Sequence, residues 1–404
     1  MTGTSTQWRD YALVTGNYWA FTLTDGALRM LVLLYFHQQG YSPVELATLF
    51  LLYEFCGVIT NLFGGWIGAR IGLQRTMHIG LGLQLIALAM LLVPSAWITV
   101  PWVMAAQALS GIAKDLNKMS AKSAVKFLVP AGAQGRLYAL VAALTGSKNT
   151  LKGCGFFLGG ALLVGFGFRG AILAMLVTLS LVWFLSLYLL RTDLGRSHRK
   201  PSFTDVFSTS AAVNRLSLAR LCLFAARDVW FVVALPINLA DQWGWKPERI
   251  GTFMAMWIIG YGAVQALAPA FTGVRKGQIP DGMTLWRWGV PLAGVPALLA
   301  LIPSSLGVLL VGLLLFGGLF AVNSSLHSFL IVSYGRYDGV SLDVGVYYTA
   351  NAMGRLLGTL LSGIMYQWYG LPACLLVSSV LIGIASVMAR PLPPPSSTKE
   401  ATYT

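Results

Sequence analysis

Stretches of about 20 apolar residues recur from one end of this chain to the other, each long enough to cross the hydrocarbon core of a bilayer. No water reaches a backbone N–H or C=O in that core, so a spanning segment must be a helix or part of a closed barrel. A barrel needs short segments of alternating polarity, and the sequence has none. Hydrophobic residues fill 56% of the 404 positions and charged residues only 10%, with a mean hydropathy of +0.70. A soluble multidomain chain is excluded, and an all-α polytopic membrane protein is expected.

The apolar periodicity predicts twelve transmembrane helices in two six-helix bundles. The first six fall at 17–37, 43–67, 77–97, 100–127, 136–166 and 169–190. The second six fall at 215–240, 247–273, 286–303, 306–334, 341–367 and 370–390. Residues 1–190 then form an N-terminal bundle, 191–214 a polar cytoplasmic linker, 215–390 a C-terminal bundle and 391–404 a disordered cytoplasmic tail. The first apolar segment follows no basic n-region and precedes no small-residue cleavage site, so it reads as a retained helix rather than a signal peptide.

The net charge of +14 does not point to nucleic acid. Its basic residues gather in alternate connections, at Arg70, Arg75, Arg136, Arg191, Arg196, Arg199, Lys200, Arg275, Lys276 and Arg336. The opposite connections carry only Arg169, Lys246 and Arg249. The positive-inside rule places the first set, and both termini, on the cytoplasmic side of the inner (cytoplasmic) membrane. The halves also resemble each other. Phe21, Asp25, Gly40 and Pro43 match Phe224, Asp228, Gly244 and Pro247 at displacements of 203 or 204 residues. Lys152 precedes Gly160 by eight residues, as Arg355 precedes Gly363. Such a duplication predicts substrate binding where the repeats meet, near the bilayer midplane.

Four lysines interrupt the fourth apolar segment at a four-residue step: Lys114, Lys118, Lys122 and Lys126. That step keeps them on one slowly drifting helix face. Lys148 and Lys152 repeat it on the next segment, so six of the ten lysines lie in two neighbouring helices. Each cation near the bilayer centre costs at least ~2.5–3.5 kcal/mol, which selects for water, a counter-ion or an anionic ligand beside it. Lys114 to Lys126 spans about 18 Å, so one small substrate cannot touch all four. Lys114, Lys118 and Lys122 are expected to line a cavity and Lys126 its cytoplasmic mouth. Asp115, off the stripe's face, could pair with Lys118 or Lys122. Lys148, Asn149 and Lys152 are candidate ligands from the fifth helix.

Three lone arginines join them: Arg29, Arg227 and Arg355. Arg29 could simply pair with Asp25 one turn away; alternatively, Arg29 and Arg227 clamp an oxyanion from opposite bundles, since a guanidinium fork binds such oxygens bidentately. Tyr347 and Asn351 could complete the substrate site, together with Asn61, Asn323, Ser324, His327 and Tyr348. Glu54 reads as the most isolated carboxylate, and Glu54, Asp25 and Asp228 are the proton-coupling candidates. Cys56, Cys154, Cys222 and Cys374 are dispersed, fit no metal or redox spacing and read as small core residues. No catalytic motif, metal cluster or cofactor loop appears, so an enzyme is not expected.

Two resemblances sharpen the reading. The loop Gly65-Trp66-Ile67-Gly68-Ala69-Arg70-Ile71-Gly72-Leu73-Gln74-Arg75 resembles the gating loop of the major facilitator superfamily at Gly65, Arg70, Gly72 and Arg75. It departs at Ala69, where the superfamily usually carries the Asp that stabilises its outward-facing closure. The stretches Asn17–His37, Tyr53–Trp66 and Gly111–Lys126 are similar to the ArsJ-type organoarsenical permeases. That likeness implies alternating-access export of 1-arseno-3-phosphoglycerate, a small anion made when glyceraldehyde-3-phosphate dehydrogenase uses arsenate in place of phosphate. It further implies arsenate resistance, the bilayer and the dehydrogenase as partners, no cofactor, and action as a monomer. The alternatives are an organic-phosphate exchanger or a proton-coupled multidrug antiporter of the same superfamily.

Overall fold

The computed structural model describes residues 2–40, 49–127, 129, 133–190, 210–245, 247–274, 277–302, 305–335 and 340–395. Among them there is no strand. The helices are α1 (Thr2–Gln38), α2 (Leu51–Ile71), α3 (Leu73–Met90) and α4 (Val100–Phe127). A continuous run, Gln134–Leu189, breaks only at Gly167, which separates α5 (residues 134–166) from α6 (168–189). Next come α7 (Ala211–Phe231), α8 (Ala234–Trp243), α9 (Pro247–Phe271), α10 (Gly282–Leu301) and α11 (Leu306–Tyr334). A second long run, Val340–Ala389, breaks at Gly370 into α12 (340–369) and α13 (371–389).

The two breaks are built alike. Gly167 has φ 67° and ψ 178°, and Gly370 has φ 72° and ψ −174°. Positive φ is strained for any residue with a Cβ, so glycine lets one residue reverse the helix course. Gly370 lies 203 positions after Gly167 (370 − 167), the displacement that separates Asp25 from Asp228.

Most helix ends fall within two residues of expectation, and two of the departing starts have a local reason. The Ser210 hydroxyl accepts from Val213 N–H and starts α7 four residues early, at Ala211. Asp281 and Thr284 form a capping box that starts α10 at Gly282 instead of 286. The expected seventh helix is broken at Val232–Val233, where the freed N–H of Ala234 donates to Ser362 Oγ at 3.1 Å. The first helix begins at Thr2 rather than 17. The start of the expected second helix, linker residues 191–209 and tail residues 396–404 lie outside the described residues.

The chain divides into two compact units that each borrow a short segment from the other half of the sequence. Unit 1 holds 1–128, 147–207 and 336–349; unit 2 holds 129–146, 208–335 and 350–404. The simple cut at the central linker therefore misassigns the start of α5 and the start of α12. In unit 1, α4 packs against α1, α2 and α3, around a core of Phe21, Leu28, Leu31, Leu81, Leu88 and Ile172. In unit 2 the core is aromatic: fully buried Trp230 meets Trp257, Phe231 and Phe316 at centroid distances of 6.1, 5.5 and 5.0 Å. Cys222 and Cys374 are buried in this unit, but Cys154 of unit 1 is exposed, contrary to the core reading.

One crossing recurs in both units. A Cβ on Gly155 of α5 would lie 2.6 Å from the Leu23 carbonyl oxygen of α1, and one on Gly358 of α12 would lie 2.6 Å from the Ala225 carbonyl oxygen of α7. Small residues let backbones approach this closely where no water drives apolar helices together. These two glycines are again 203 positions apart (358 − 155).

Candidate functional site

The lysine stripe is fixed by α4, the helix at the centre of unit 1. Lys114 Nζ stands 3.7 Å from Asp115 Oδ2 and 3.8 Å from the Tyr53 ring centroid. Lys118 donates to Asp115 Oδ1 and lies 4.3 Å from the centroid of Tyr348, the ring that Lys122 approaches to 5.2 Å. Asp115 therefore sits among the lysines rather than off their face. Lys118 and Lys122 are buried, at 8% and 3% exposure. A buried ammonium is tolerated only when carboxylates, hydrogen bonds or aromatic faces replace its hydration. Lys126, half-buried at the end of α4, feels the charge of Asp343 at the start of α12.

Asp115 pairs with Lys118 as its spacing leads one to expect, but the pairing around Arg29 differs from expectation. Arg29 NH1 reaches Glu54 Oε1 at 3.3 Å and its guanidinium stacks over Phe50 and Tyr53. Glu54 is therefore not isolated, and Arg29 takes Glu54 as its partner. Asp25 instead accepts the Tyr53 hydroxyl at 2.8 Å. Lys148, Asn149 and Lys152 are half-buried on α5 in the same unit. The Lys152 carbonyl lies 2.8 Å from where a Cβ on Gly26 would stand, which brings the α5 backbone beside Asp25. Tyr347 is buried, its ring 5.0 Å from that of Tyr348. Unit 1 thus gathers Arg29, Lys114, Lys118, Lys122, Lys126, Lys148 and Lys152 against Asp25, Glu54, Asp115 and Asp343, an excess of cations.

The gating-loop residues run from the end of α2, which holds Gly65 and Arg70, through Gly72 to the start of α3, which holds Arg75. Gly72 joins them with φ 94°, a turn open to glycine. Arg70 and Arg75 are exposed, and Arg70 covers Trp66 at 5.0 Å. Ala69 is 2% exposed. A Cβ on Gly65 would lie 2.4 Å from the Ser341 carbonyl oxygen, and one on Gly345 would lie 3.2 Å from Gly65 Cα. Close backbone contact holds the start of α12 against α2 here.

Unit 2 gathers Arg227, Asp228, Arg355 and Asn351. Asp228 Oδ1 accepts from Arg227 Nε at 2.7 Å and NH2 at 2.6 Å, and Oδ2 accepts from Arg355 Nε at 3.4 Å. Arg355, expected to lack an acidic neighbour, shares this carboxylate. Sequence reasoning missed Arg220, which the rule that found the other three would also have found. It is 3% exposed. Its Nε donates to Asn351 Oδ1 at 2.9 Å and its NH1 to Ser324 O and Oγ at 3.2 and 3.0 Å. Gln265 also donates to Ser324 Oγ, at 3.2 Å. Tyr53 and Tyr348 were missed as lysine covers, because ring stacking leaves no spacing signal.

Helical units with hydrophobic outer faces and ionic interiors, one of them in cationic excess, define a multi-pass membrane protein. A sequence model of the Major Facilitator Superfamily matches residues 14–226, and the chain belongs to that superfamily of membrane transporters. No curated protein matches the chain by sequence. Among solved structures it is similar to the human organic anion transporter MFSD10 (TETRAN), with a TM-score of 0.77 at 16% identity over 95% of this chain and 99% of that one. It is also similar to the proton:xylose symporter XylE bound to 6-bromo-6-deoxy-D-glucose, with a TM-score of 0.73 at 13% identity over 96% of each chain. A bacterial homologue of the iron transporter ferroportin in an outward-facing state gives 0.73 at 16% identity, over 94% of this chain and 98% of that one. At these identities the likeness establishes the fold.

Proposed function

We propose that this transporter exports a phosphorylated organoarsenical anion, 1-arseno-3-phosphoglycerate, by alternating access, and so confers arsenate resistance. The observation that carries the reading is the cationic excess of unit 1, with Lys118 and Lys122 buried over one tyrosine ring. A cargo with a phosphate and an arsenate group presents two separated anionic ends, and a stripe longer than the cargo offers successive cations along its path. Lys114, Lys118 and Lys122 receive one end, with Lys148, Asn149, Lys152 and Tyr347 nearby in the same unit. Arg227, Arg355 and Asn351 are the candidate ligands within unit 2, and Arg29 is a further one within unit 1. Cation–π contacts and the shared Asp115 hold these lysines, and one carboxylate does not balance the two ammonium groups that share it, so that group keeps a net positive charge.

The resemblance of the lysine segment to organoarsenical permeases selects this anion over other phosphorylated metabolites. Glyceraldehyde-3-phosphate dehydrogenase supplies the cargo, and the protein works as a monomer in the inner membrane with both termini cytoplasmic. A multidrug antiporter for cations fits poorly with a lysine-lined interior. The test is uptake into inverted vesicles given arsenate, the dehydrogenase, its nicotinamide cofactor and glyceraldehyde 3-phosphate, singly and together. Uptake of arsenic only with the full set is the expected result; uptake of arsenate alone would refute the cargo. Lys118→Ala or Lys122→Ala should abolish arsenate resistance at normal membrane abundance.

A further inference from the structure

The carboxylates expected to carry a proton are all engaged: Glu54 by Arg29, Asp25 by the Tyr53 hydroxyl, and Asp228 by two arginines. His327 is a buried titratable group outside that scheme. It lies on α11 and is 1% exposed, and its Nδ1 has no hydrogen-bond partner among the described residues. An imidazole nitrogen sealed from water without a partner is costly, and such groups in membrane interiors mark ion or proton paths.

Its surroundings say what it answers to. Ser324, on the same helix, takes NH1 of Arg220 on its carbonyl and hydroxyl, and Asn351 takes Nε. His327 follows Ser324 by three residues, so the two share a face of α11. The elements packed on α11 bring few other charged or titratable groups. Tyr261 comes from α9, Arg287 from α10, and Tyr138 from α5, its ring 4.7 Å from that of Phe329. Arg227 on α7 and Arg355 on α12 both pair with Asp228. Arg220 is the charge that the hydrogen bonds at Ser324 bring to the imidazole's face of α11.

We propose that Arg220 and His327 form a proton-linked oxyanion site in unit 2. An oxyanion oxygen replaces the Asn351 carboxamide on Arg220, and His327 takes one proton from water as the anion arrives. The physical reason is direct. A fixed guanidinium opposes a second positive charge beside it in a low-dielectric interior, and an anion on that guanidinium removes the opposition. Asn351 is the natural point of entry, since at 8% exposure it is less buried than Arg220, Ser324 or His327. The inference rests on the anionic cargo proposed above and states how its charge is balanced: each anion bound at Arg220 brings a proton with it.

The test counts protons. Purified protein in weakly buffered detergent with a pH dye receives sulfate, which holds no proton near neutrality, or 3-phosphoglycerate. Wild type should take up a proton on binding sulfate, and its sulfate affinity should tighten by up to about tenfold per unit fall in pH through the imidazole range. His327→Gln should bind sulfate with no proton uptake and a flat pH profile. Arg220→Gln should lose the anion dependence of the proton. Melting curves and gel filtration confirm that each variant is folded, and His327→Asn repeats the measurement if the glutamine does not fit. A proton count unchanged in His327→Gln, or no uptake by wild type with either anion, overturns the inference. Proton uptake with sulfate but no binding of 3-phosphoglycerate would instead sink the proposed cargo and leave the site standing.

Discussion

Units 1 and 2 share a backbone plan and differ in how they hold charge. Each crosses its first and fifth helices on a glycine that meets a carbonyl oxygen, and each reverses between its fifth and sixth helices on a single glycine of positive φ. Unit 1 fills the plan with lysines, laid over tyrosine rings and sharing Asp115. Unit 2 fills it with arginines that close around one carboxylate or around neutral oxygens. A lysine is a mobile point charge, whereas an arginine fork is preorganised for several acceptors at once. Unit 1 therefore holds its cations by ring faces and a shared carboxylate, and unit 2 by direct hydrogen bonds from arginine.

Breaking the arginine arrangement should have the largest effect. Asp228 is 1% exposed, and Asp228→Asn strands two guanidiniums that now share its one negative charge. Removing one side of a buried pair costs about 3–5 kcal/mol, so a sharp fall in melting temperature in detergent is expected. A melting point within error of wild type would mean that the arginines do not depend on this carboxylate.

The shared backbone plan makes a paired prediction. Gly155→Ala and Gly358→Ala each place a Cβ 2.6 Å from a carbonyl oxygen. Both should destabilise by a similar amount, about 1–3 kcal/mol, since neither backbone can yield without opening its crossing. Strongly unequal losses would show that the crossings are alike in geometry but not in load.

Tyr348 tests the lysine side. Tyr348→Phe keeps the ring face under Lys118 and Lys122 and should leave transport near wild type. Tyr348→Ala removes it, along with a cation–π contribution of roughly 0.5–2 kcal/mol, and should weaken substrate affinity several-fold in the vesicle assay. Equal behaviour of the two variants would assign the tyrosine another task. The smallest effect is expected at the Arg29–Glu54 pair, whose side chains are 26% and 19% exposed. A double-mutant cycle there should give a coupling of about 1 kcal/mol or less after solvent screening. A much larger coupling would mean that the pair is shielded from water.

The parts of the site legible in the sequence were those that a bilayer makes expensive. Lys114, Lys118, Lys122, Arg227 and Asp228 announce themselves because a charge in an apolar run needs a reason. Their partners were not legible. Asp25 and Arg29 stand one turn apart and look like a pair, yet Glu54 of α2 reaches Arg29 and Tyr53 reaches Asp25. Helical spacing reports neighbours on one helix, and these partners come from another. Helix ends escaped for a related reason: Ser210 and Asp281 lie in polar stretches that a hydropathy window discards, although they cap α7 and α10.

What the sequence determined by itself was the architecture: segment lengths, the 203-residue repeat and the cationic stripe follow from burying backbone and charge in a medium without water. Only the tertiary structure decided which charges remain to meet a ligand. It exchanged residues 129–146 and 336–349 between the units, set Asp115 among the lysines, and sealed His327 beside Arg220. Electrostatic partnership falls off over a few ångströms, and such distances are fixed by how helices pack rather than by the order of residues along any one of them.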